Sequence, residues 1–407
     1  MPSTSIKINP FPGLRSFQES ENHLFFGRER EVKELREKLL SSRFLAVVGT
    51  SGSGKSSLVR SGLLPALNRD QIFGSETSWK TVVFRPGNDP LVNLSTALAQ
   101  SLFRNQPAEN PNFWEQSITE AIITHQNNGL LRVVQQAGLK AQDKLVIVVD
   151  QFEELFRFSD KHVNNFDIQK DVDGLINILL ESVSQTEIPI YVVLTMRYDF
   201  LGRCTDYDGL PEVINQGTYL VPRMTREGRK RAIEEPIKTN RVTISPILLA
   251  RLLNETDDLK DQLPLLQHSL MRTWEYWEDD HHPDEPLDLR HYEAIGTMVK
   301  ALSLHAEEAF AELENDESRR ICELLFKRIT EKKPDIQGTR SPTALHNIYL
   351  LTGSTEEDVK RVIDIFRKDG RSFLMPPSFM NLKSESVIDI SHEALMRVWT
   401  RLEGWVR

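Results

Sequence analysis

The chain has 407 residues, 27% of them charged, and a formal net charge of −9 at pH 7. This length predicts two or three domains, each with its own apolar core. The acidic balance argues against non-specific adhesion to nucleic acid or to anionic membranes. Cys204 and Cys322 lie far apart without a CxxC partner, which argues against a disulfide framework or a cysteine zinc site and favours a reduced compartment, the cytoplasm. The sequence shows neither a signal peptide nor an apolar run of the roughly 18–20 residues that a membrane span needs.

The chain begins with a proline-rich stretch, residues 1–24, which is predicted to be an extended segment. A charged amphipathic helix is expected at 28–40. A short apolar run at 44–48 then predicts a buried strand, and 58–67 predicts a helix. The strand-to-helix turn between these two elements is the most informative part of the chain.

Residues 49–57 fit the phosphate-binding pattern G-x-x-x-x-G-K-[ST] at this turn. They are Gly49, Thr50, Ser51, Gly52, Ser53, Gly54, Lys55, Ser56 and Ser57. Backbone N–H groups of such a turn can cradle phosphate, Lys55 is expected to reach the β- and γ-phosphates, and the Ser56 hydroxyl is expected to ligate Mg²⁺. A Gly/Ser-rich linker is the alternative, but linkers are not flanked by a buried strand and an apolar helix. The pattern therefore predicts a nucleoside triphosphate site.

Strand and helix patterns alternate after the P-loop. Strands are predicted at 80–85, 144–149 and 188–195, and helices at 90–103, 113–125 and 172–183. Because the strands are apolar throughout, they predict an α/β fold of the P-loop NTPase type, with a parallel sheet and helices on both faces. Ligands bind at the carboxyl ends of the strands in such sheets.

The strand predicted at 144–149 ends in Asp150, as a Walker B segment does. Asp150 is expected to help Ser56 hold Mg²⁺, although a helix-capping aspartate is the alternative. Glu153 and Glu154 follow within one turn, and either could polarise the water that attacks the γ-phosphate. Glu153 is the first choice, and a surface ion pair stays open for each.

A guanidinium follows the strand predicted at 188–195. Arg197 could read the γ-phosphate, because its planar fork stabilises charge spread over phosphate oxygens. A local ion pair with Asp199 is the alternative.

Helical periodicity dominates beyond residue 219. Helices are predicted at 225–238, 246–255, 262–277, 301–313, 318–330 and 356–368, with short apolar runs at 373–375 and 387–390 and a last helix from 392. The acidic stretch 278–286 predicts an exposed connection rather than a metal site, because His281 and His282 lack a third ligand. Helices followed by a small hairpin are typical of a winged-helix unit. We therefore expect four regions: an extended segment at 1–24, a P-loop domain at 25–222, a helical domain at 223–286 and a winged-helix domain at 287–407.

Six segments occur in a fixed order along nearly the whole chain. They are Phe25-Phe26-Gly27-Arg28-Glu29, the P-loop with Gly62-Leu63-Leu64-Pro65, residues 149–155, Thr195-Met196-Arg197 with Asp199-Phe200, residues 262–266, and residues 391–395 with Trp399. In this order they resemble the STAND NTPases, most closely the bacterial novel STAND branch.

The resemblance implies further roles in nucleotide binding. The backbone of Phe26, Gly27 and Arg28 would hold the adenine, and Pro264 would pack on the base. His392 would touch the β-phosphate of bound ADP and lock the inactive form. The residues alone leave open that His392 is a capping or core histidine.

The resemblance also implies a function. It predicts a slowly hydrolysing signal-transduction ATPase that uses ATP/ADP and Mg²⁺, closed and monomeric with ADP, and open and homo-oligomeric with ATP. An unknown protein or ligand would trigger it, and bacterial defence is one plausible setting. Effector or sensor sequence is expected C-terminal to this chain, and no membrane partner is expected.

Two alternatives stay open. One is an initiator-like AAA+ ATPase that binds DNA through the winged helix, suggested by the basic residues Arg223, Arg226, Arg229, Lys230 and Arg231. The other is a scaffold that binds nucleotide without hydrolysing it.

Overall fold

The computed structural model describes residues 8–72, 78–107, 110, 112–124, 128–140, 142–156, 166–257, 262–333 and 336–406. These residues form two compact units. The sheet unit comprises Gln18–Asn22 and Arg28–Arg223, and the helical unit comprises the described residues of Met1–Phe17, His23–Gly27 and Met224–Arg407. The finer domain boundaries expected from the sequence stay predictions.

The sheet unit is built on five parallel strands. They are β1 Phe44–Gly49, β2 Trp79–Phe84, β3 Lys144–Val149, β4 Ile190–Arg197 and β5 Thr218–Leu220. Their spatial order is β2-β3-β4-β1-β5. The α/β prediction is confirmed, and its cause is plain: β1, β3 and β4 are buried along nearly their whole length, as strands covered on both faces must be.

The strand register brings three chain segments to one edge of the sheet. Strand β4 lies between β1 and β3, with Gly49 opposite Arg197 and Val149 opposite Leu194. The P-loop after β1 and the acidic segment after β3 therefore both adjoin the end of β4. This is the carboxyl edge, where ligands of such sheets bind.

Helices surround the sheet. The α-helices are Glu29–Ser42, Lys55–Ser57, Leu64–Ile72, Pro90–Leu102, Phe113–Thr124, Gly129–Gln136, Phe166–Ser184 and Leu210–Gly217, with a π-helical segment Leu58–Leu63 and a 3₁₀ helix Tyr198–Asp206. The helix predicted at 113–125 is described as far as Thr124, and residue 125 lies outside the described residues. A further 3₁₀ helix, Glu19–Leu24, precedes the first α-helix.

The helical unit carries short strands among its helices. The helices are Arg226–Thr239, Pro246–Asp257, Gln262–Asp279, Leu289–Ala294, Thr297–Ala311, Asp316–Ile329, Leu345–Thr352, Glu356–Arg367, Ala394–Val398 and Thr400–Val406. The strands are β6 Thr330–Lys333, β7 Ile336–Arg340, β8 Thr343–Ala344, β9 Leu374–Met375 and β10 Val387–Ile390. Strand β10 pairs antiparallel with both β8 and β9. The two apolar runs predicted near the C-terminus thus pair with each other, and the winged-helix assignment itself stays a prediction.

The N-terminal segment belongs to the core of the helical unit. Phe11 and Leu14 are buried in its hydrophobic cluster, and Asn9 Nδ2 donates to the Met271 carbonyl at 3.0 Å. The sequence gives no periodic signal for this packing, because the segment forms neither helix nor strand there.

The acidic connection predicted at 278–286 is largely exposed in the structure. His281 stacks on Trp277 with ring centroids 4.1 Å apart, and the described residues contain no group of three or more potential metal ligands. In the same residues, no helix combines the length and apolar character needed to cross a bilayer.

Candidate functional site

The P-loop is a tight turn that depends on glycine. Gly52 and Gly54 have φ of +73° and +86°, in the left-handed region that favours glycine. Gly54 caps the helix that begins at Lys55 and accepts a hydrogen bond from Leu58 N at 2.8 Å. A Cβ on Gly49 would lie only 2.8 Å from Ser53 Oγ. The predicted strand, turn and helix are therefore in place around residues 49–57.

Lys55 folds back over the P-loop. Its Nζ donates to the carbonyls of Gly49 at 3.1 Å and Thr50 at 2.7 Å. Burial lowers the pKa of Lys55, the Glu153 carboxylate opposes that shift, and the Arg197 guanidinium adds to it. These influences place Lys55, Glu153 and Arg197 within electrostatic reach of one another at the carboxyl edge of the sheet.

Asp150 is the centre of a buried polar network. Its Oδ1 accepts hydrogen bonds from Ser56 Oγ and Thr195 Oγ1, each at 2.7 Å. Its Oδ2 accepts from Arg60 Nη2 at 3.0 Å and lies 3.9 Å from Arg85 Nε. Burial raises the pKa of the Asp150 carboxyl, but the two arginines and the two hydroxyls outweigh burial, so the pKa lies below its usual value. The aspartate is thus held ionised with almost no exposure.

Ser56 and Asp150 fit a magnesium ion by their chemistry. The predicted ligands come from different elements, yet their oxygens lie 2.7 Å apart. Magnesium prefers oxygen ligands and uses one or two protein groups together with phosphates and water. Ser56 and Asp150 would hold the ion there, and its positive charge would neutralise charge on the phosphates during transfer.

Glu153 and Glu154 have different surroundings. Glu154 Oε2 accepts from Gly87 N at 3.2 Å, and the Gln151 amide, oriented to satisfy both neighbours, donates to Glu154 Oε1 at 3.0 Å. Glu153 is 3% exposed, and its Oε2 is buried without a hydrogen-bond partner among the described residues. Both carboxylate oxygens of Glu154 therefore accept hydrogen bonds near the turn after β3, whereas Oε2 of Glu153 accepts none from the described residues.

Arg197 ends strand β4 and pairs with Asp199. Its Nε and Nη2 donate to the two carboxylate oxygens of Asp199 at 3.0 and 2.7 Å. The local pair considered as the alternative is therefore present. A role of Arg197 at the γ-phosphate stays a prediction.

Two residues of the predicted adenine segment, Arg28 and Gly27, lie close to other parts of the backbone. Arg28 is 3% exposed and donates from Nη1 to the Pro222 carbonyl at 3.0 Å and from Nη2 to the Ser53 carbonyl at 3.4 Å, so it braces the P-loop. Gly27 has φ of +86°, and a Cβ there would lie 2.2 Å from the Gly228 carbonyl oxygen. Phe26 is half-buried. Adenine binding by Phe26, Gly27 and Arg28 stays a prediction.

Pro264 and His392 lie in the helical unit. Pro264 is in the first turn of Gln262–Asp279 and is half-buried. His392 precedes helix Ala394–Val398, and its Nδ1 accepts from Ala394 N at 3.1 Å. This is the local capping role that the residues alone left open, and the contacts of both side chains with nucleotide stay predictions.

The basic cluster that suggested DNA binding is partly used inside the protein. Arg226 donates to Asp257 at 2.9 Å and to Asn254 at 2.7 Å. Arg229 is 5% exposed, donates to the Met224 carbonyl at 2.9 Å and also pairs with Asp257. These two arginines are therefore paired within the helical unit.

Sequence reasoning assigned no role in the Asp150 network to three of its residues: Arg60, Arg85 and Thr195. Thr195 Oγ1 also accepts from Gln151 N at 2.9 Å, which ties the end of β4 to the turn after β3. A signal existed for Arg60, the one charged residue in the otherwise apolar and small run 58–64. Another existed for Thr195, a polar residue in an apolar strand.

A family model described as Novel STAND NTPase 1 matches residues 10–407. The chain belongs to this family. The resemblance drawn from the six ordered segments is thereby confirmed, and the protein is a P-loop NTPase of the STAND type. A comparison with curated proteins gives no match.

Several solved structures are similar at low identity. The Orc1 protein of Aeropyrum pernix in complex with DNA is 13% identical, covering 94% of this chain and 92% of that chain with a TM-score of 0.44. The Walker-type ATPase PABY2304 of Pyrococcus abyssi is 11% identical, covering 95% and 98% with a TM-score of 0.45. A chain of the HORMA:CdnC:Trip13 complex of E. coli MS115-1 is 12% identical, covering 69% and 91% with a TM-score of 0.43. Scores and identities this low say nothing of function.

Proposed function

We propose that this novel STAND NTPase is a slow, ATP-operated switch of the cytoplasm. It binds one adenine nucleotide with magnesium at the P-loop, rests closed with ADP, and opens and self-assembles with ATP. The observation that carries the proposal is the buried Asp150 network, because it joins the P-loop helix, β3 and β4 around one carboxylate. Its supporting context is the family match over nearly the whole chain.

The chemistry assigns one task to each side chain. Lys55 binds the β- and γ-phosphates, and the Ser56 hydroxyl and Asp150 hold the metal. Glu153 orients the attacking water and accepts its proton, because its Oε2 is buried and unused by other described groups. Arg197 senses the γ-phosphate by exchanging its pair with Asp199 for phosphate oxygens.

The switch requires the helical unit to respond to the nucleotide. His392 donates to the β-phosphate, which is the terminal phosphate only in ADP, whereas Pro264 packs on the adenine of either nucleotide. A ligand can shift a conformational equilibrium only through such differential contacts. The internal pairing of Arg226 and Arg229 makes the DNA-binding alternative less favourable.

Nucleotide analysis and molecular mass test the binding step. Purified protein is expected to carry ADP, and ATP with Mg²⁺ is expected to raise the mass measured by light scattering. Lys55→Ala should weaken ATP binding by about two orders of magnitude, because it removes a charge-assisted phosphate contact. Lys33→Ala is the control, since this lysine is exposed in the same unit. Equal assembly of Lys55→Ala and wild type would contradict the proposal.

Single-turnover phosphate release tests the assignment of the base. Glu153→Gln should slow hydrolysis about 100-fold or more while ATP still binds, because it removes the proton acceptor. Glu154→Gln should have the smaller effect, since Glu154 holds Gly87 and Gln151. The reverse order would move the base to Glu154, and absence of any release would favour the scaffold alternative.

The resting state is tested separately with His392→Gln. This variant should release ADP faster than wild type, as measured with a fluorescent analogue, because a β-phosphate donor is weakened. His346→Gln is the control, an exposed histidine of the same unit. Equal ADP release rates would remove His392 from the switch.

A further inference from the structure

The carboxylate of Asp150 has two differently occupied sides. Oδ1 faces hydroxyl groups, with Ser56 Oγ and Thr195 Oγ1 each at 2.7 Å. Oδ2 faces guanidinium groups, with Arg60 Nη2 at 3.0 Å and Arg85 Nε at 3.9 Å. The predicted metal ligand Ser56 therefore lies on one side of the carboxylate and the positive charge lies on the other.

Arg60 lies where the backbone of the P-loop helix departs from α-helical geometry. It lies in the π-helical segment Leu58–Leu63, where the Leu64 N–H bonds to the Val59 carbonyl five residues earlier. Pro65 follows, and it has no N–H with which to continue an α-helical bond to Ser61. Short π segments of this kind are frequent at functional sites.

The guanidinium of Arg60 is also held from a second direction. Its Nη1 donates to Gln18 Oε1 at 3.2 Å, so it bridges the segment Gln18–Asn22 and Asp150. Its Nε is buried without a hydrogen-bond partner among the described residues. Leaving a buried donor without a partner costs free energy. Arg60 therefore keeps its bond to Asp150 even though its own Nε has no hydrogen-bond partner among the described residues.

We propose that Arg60 is a positioning residue that turns Asp150 Oδ1 toward Ser56 and, by its charge, prevents a divalent ion from binding there before the nucleotide. The inference rests on the proposed nucleotide function. Asp150 carries one negative charge and faces two arginines, and the opposite charges of Lys55 and Glu153 oppose each other nearby. A divalent ion alone meets the positive charge of the two arginines, whereas an ion arriving with β- and γ-phosphates brings compensating negative charge. Arg60 thereby couples the metal to the nucleotide.

A titration with Mn²⁺ alone, followed by electron paramagnetic resonance, tests this inference. Mn²⁺ takes the same oxygen ligands as Mg²⁺ and is directly visible. Wild type should bind Mn²⁺ weakly without nucleotide, and Arg60→Gln should bind it at least about tenfold more tightly, because the opposing charge is gone. Arg85→Gln is the matched comparison and should give a smaller gain, since its Nε lies 3.9 Å from the same oxygen.

Two further variants identify the ligand and protect the test against misfolding. Arg60→Gln combined with Asp150→Asn should lose the gain, because the carboxylate is the ligand. Arg60→Lys keeps the charge, and its Mn²⁺ affinity should stay within about threefold of wild type. If circular dichroism shows that Arg60→Gln is unfolded, the Mn²⁺ titration of Arg60→Lys takes its place. A tenfold gain in the Mn²⁺ affinity of Arg60→Lys would then overturn the proposal. An unchanged or weaker affinity in folded Arg60→Gln would overturn it equally.

The titration separates this inference from the proposed function. It requires neither hydrolysis nor assembly. The Mn²⁺ affinities can therefore be interpreted even if the proposed switch function is wrong. Repeating it with saturating ADP measures the coupling between metal and nucleotide. Wild type should show strong coupling and Arg60→Gln weaker coupling, and equal coupling in both would contradict the role of Arg60.

Discussion

Both units bury titratable groups, but they stabilise them in opposite ways. In the sheet unit Asp150 stays charged, because hydroxyls and guanidiniums from several elements surround it. In the helical unit His268 Nε2 and His305 Nδ1 lie 3.0 Å apart, both histidines are buried, and their rings lie near Phe373. Burial, with Arg272 nearby, lowers the pKa of His268 to about 3 and that of His305 further still.

This difference in charge distinguishes the candidate binding site around Asp150 from the core around His268 and His305. A buried charge supported by partners from distant parts of the sequence is suited to meet a ligand that carries charge. A buried pair kept neutral by packing contributes to a fixed interior instead. The same contrast predicts how each unit should fail when it is perturbed.

The largest loss of stability is expected for Trp399→Ala in the helical unit. Trp399 is fully buried, its ring lies 4.9 Å from Phe326 and 5.4 Å from Trp405, and its Nε1 donates to Glu307. The free energy of unfolding of this unit should fall by about 4 kcal/mol, because a large cavity is created. Hydrogen exchange read by mass spectrometry would locate the loss. Leu350→Ala, at an exposed site in the same unit, should change little, and equal losses would contradict the packing argument.

Gly27→Ala should give the next largest loss. A Cβ at Gly27 combines a left-handed φ with an approach of 2.2 Å to the Gly228 carbonyl oxygen, so the free energy of unfolding should fall by about 3 kcal/mol. Gly353→Ala shares the left-handed φ but meets nothing within 4 Å, so about 1 kcal/mol is expected. Chemical denaturation of the two variants separates the cost of the left-handed backbone from the cost of the steric clash. Similar values would mean that the Gly228 backbone moves aside.

Two buried threonines compare the units directly. Thr195→Val removes one of the two hydroxyl donors to Asp150 Oδ1 and leaves Gln151 N–H unpaired, so the free energy of unfolding of the sheet unit should fall by about 2 kcal/mol. Thr256→Val removes only a hydroxyl that bonds to carbonyls of its own helix, so the loss should stay below about 0.5 kcal/mol. Urea unfolding measures both. An equal loss of stability in the two variants would contradict the distinction between the candidate site and the core.

The buried histidine pair should also make the free energy of unfolding depend on pH. The histidines are neutral in both states above pH 6.5, but below it the unfolded chain binds protons that His268 and His305 resist, so stability falls as pH drops from 6.5 toward 3. His305→Gln keeps a hydrogen-bonding group without titrating, and should flatten this fall by about 1 kcal/mol per pH unit. Urea unfolding from pH 7 to 4 measures the slope. His346→Gln, at an exposed site, should leave it unchanged, and an unaltered slope in His305→Gln would refute the assignment.

Prediction from the sequence succeeded where the signal was local. Strands β1, β3 and β4 are apolar runs, and the P-loop has a fixed spacing, so both could be read directly. Strand β5 has three residues that are exposed or half-buried, and it left no such run.

The Asp150 network could not be read in this way. Its contact with Thr195 depends on the register between β3 and β4, and its contact with Arg60 depends on a π segment in the P-loop helix. Both are tertiary properties that no periodicity encodes. The different surroundings of Glu153 and Glu154 likewise depend on the position of Gly87.

The course of the chain near its N-terminus limits how the protein can be divided. Residues up to Phe17 belong to the helical unit, Gln18–Asn22 to the sheet unit and His23–Gly27 to the helical unit again, before the chain continues as the sheet unit from Arg28 to Arg223. The polypeptide therefore passes between the units four times, and no single proteolytic cut yields both of them intact. A truncated protein starting at residue 25 would lack Phe11 and Leu14, which complete the interior of the unit formed mainly by the C-terminal half of the sequence.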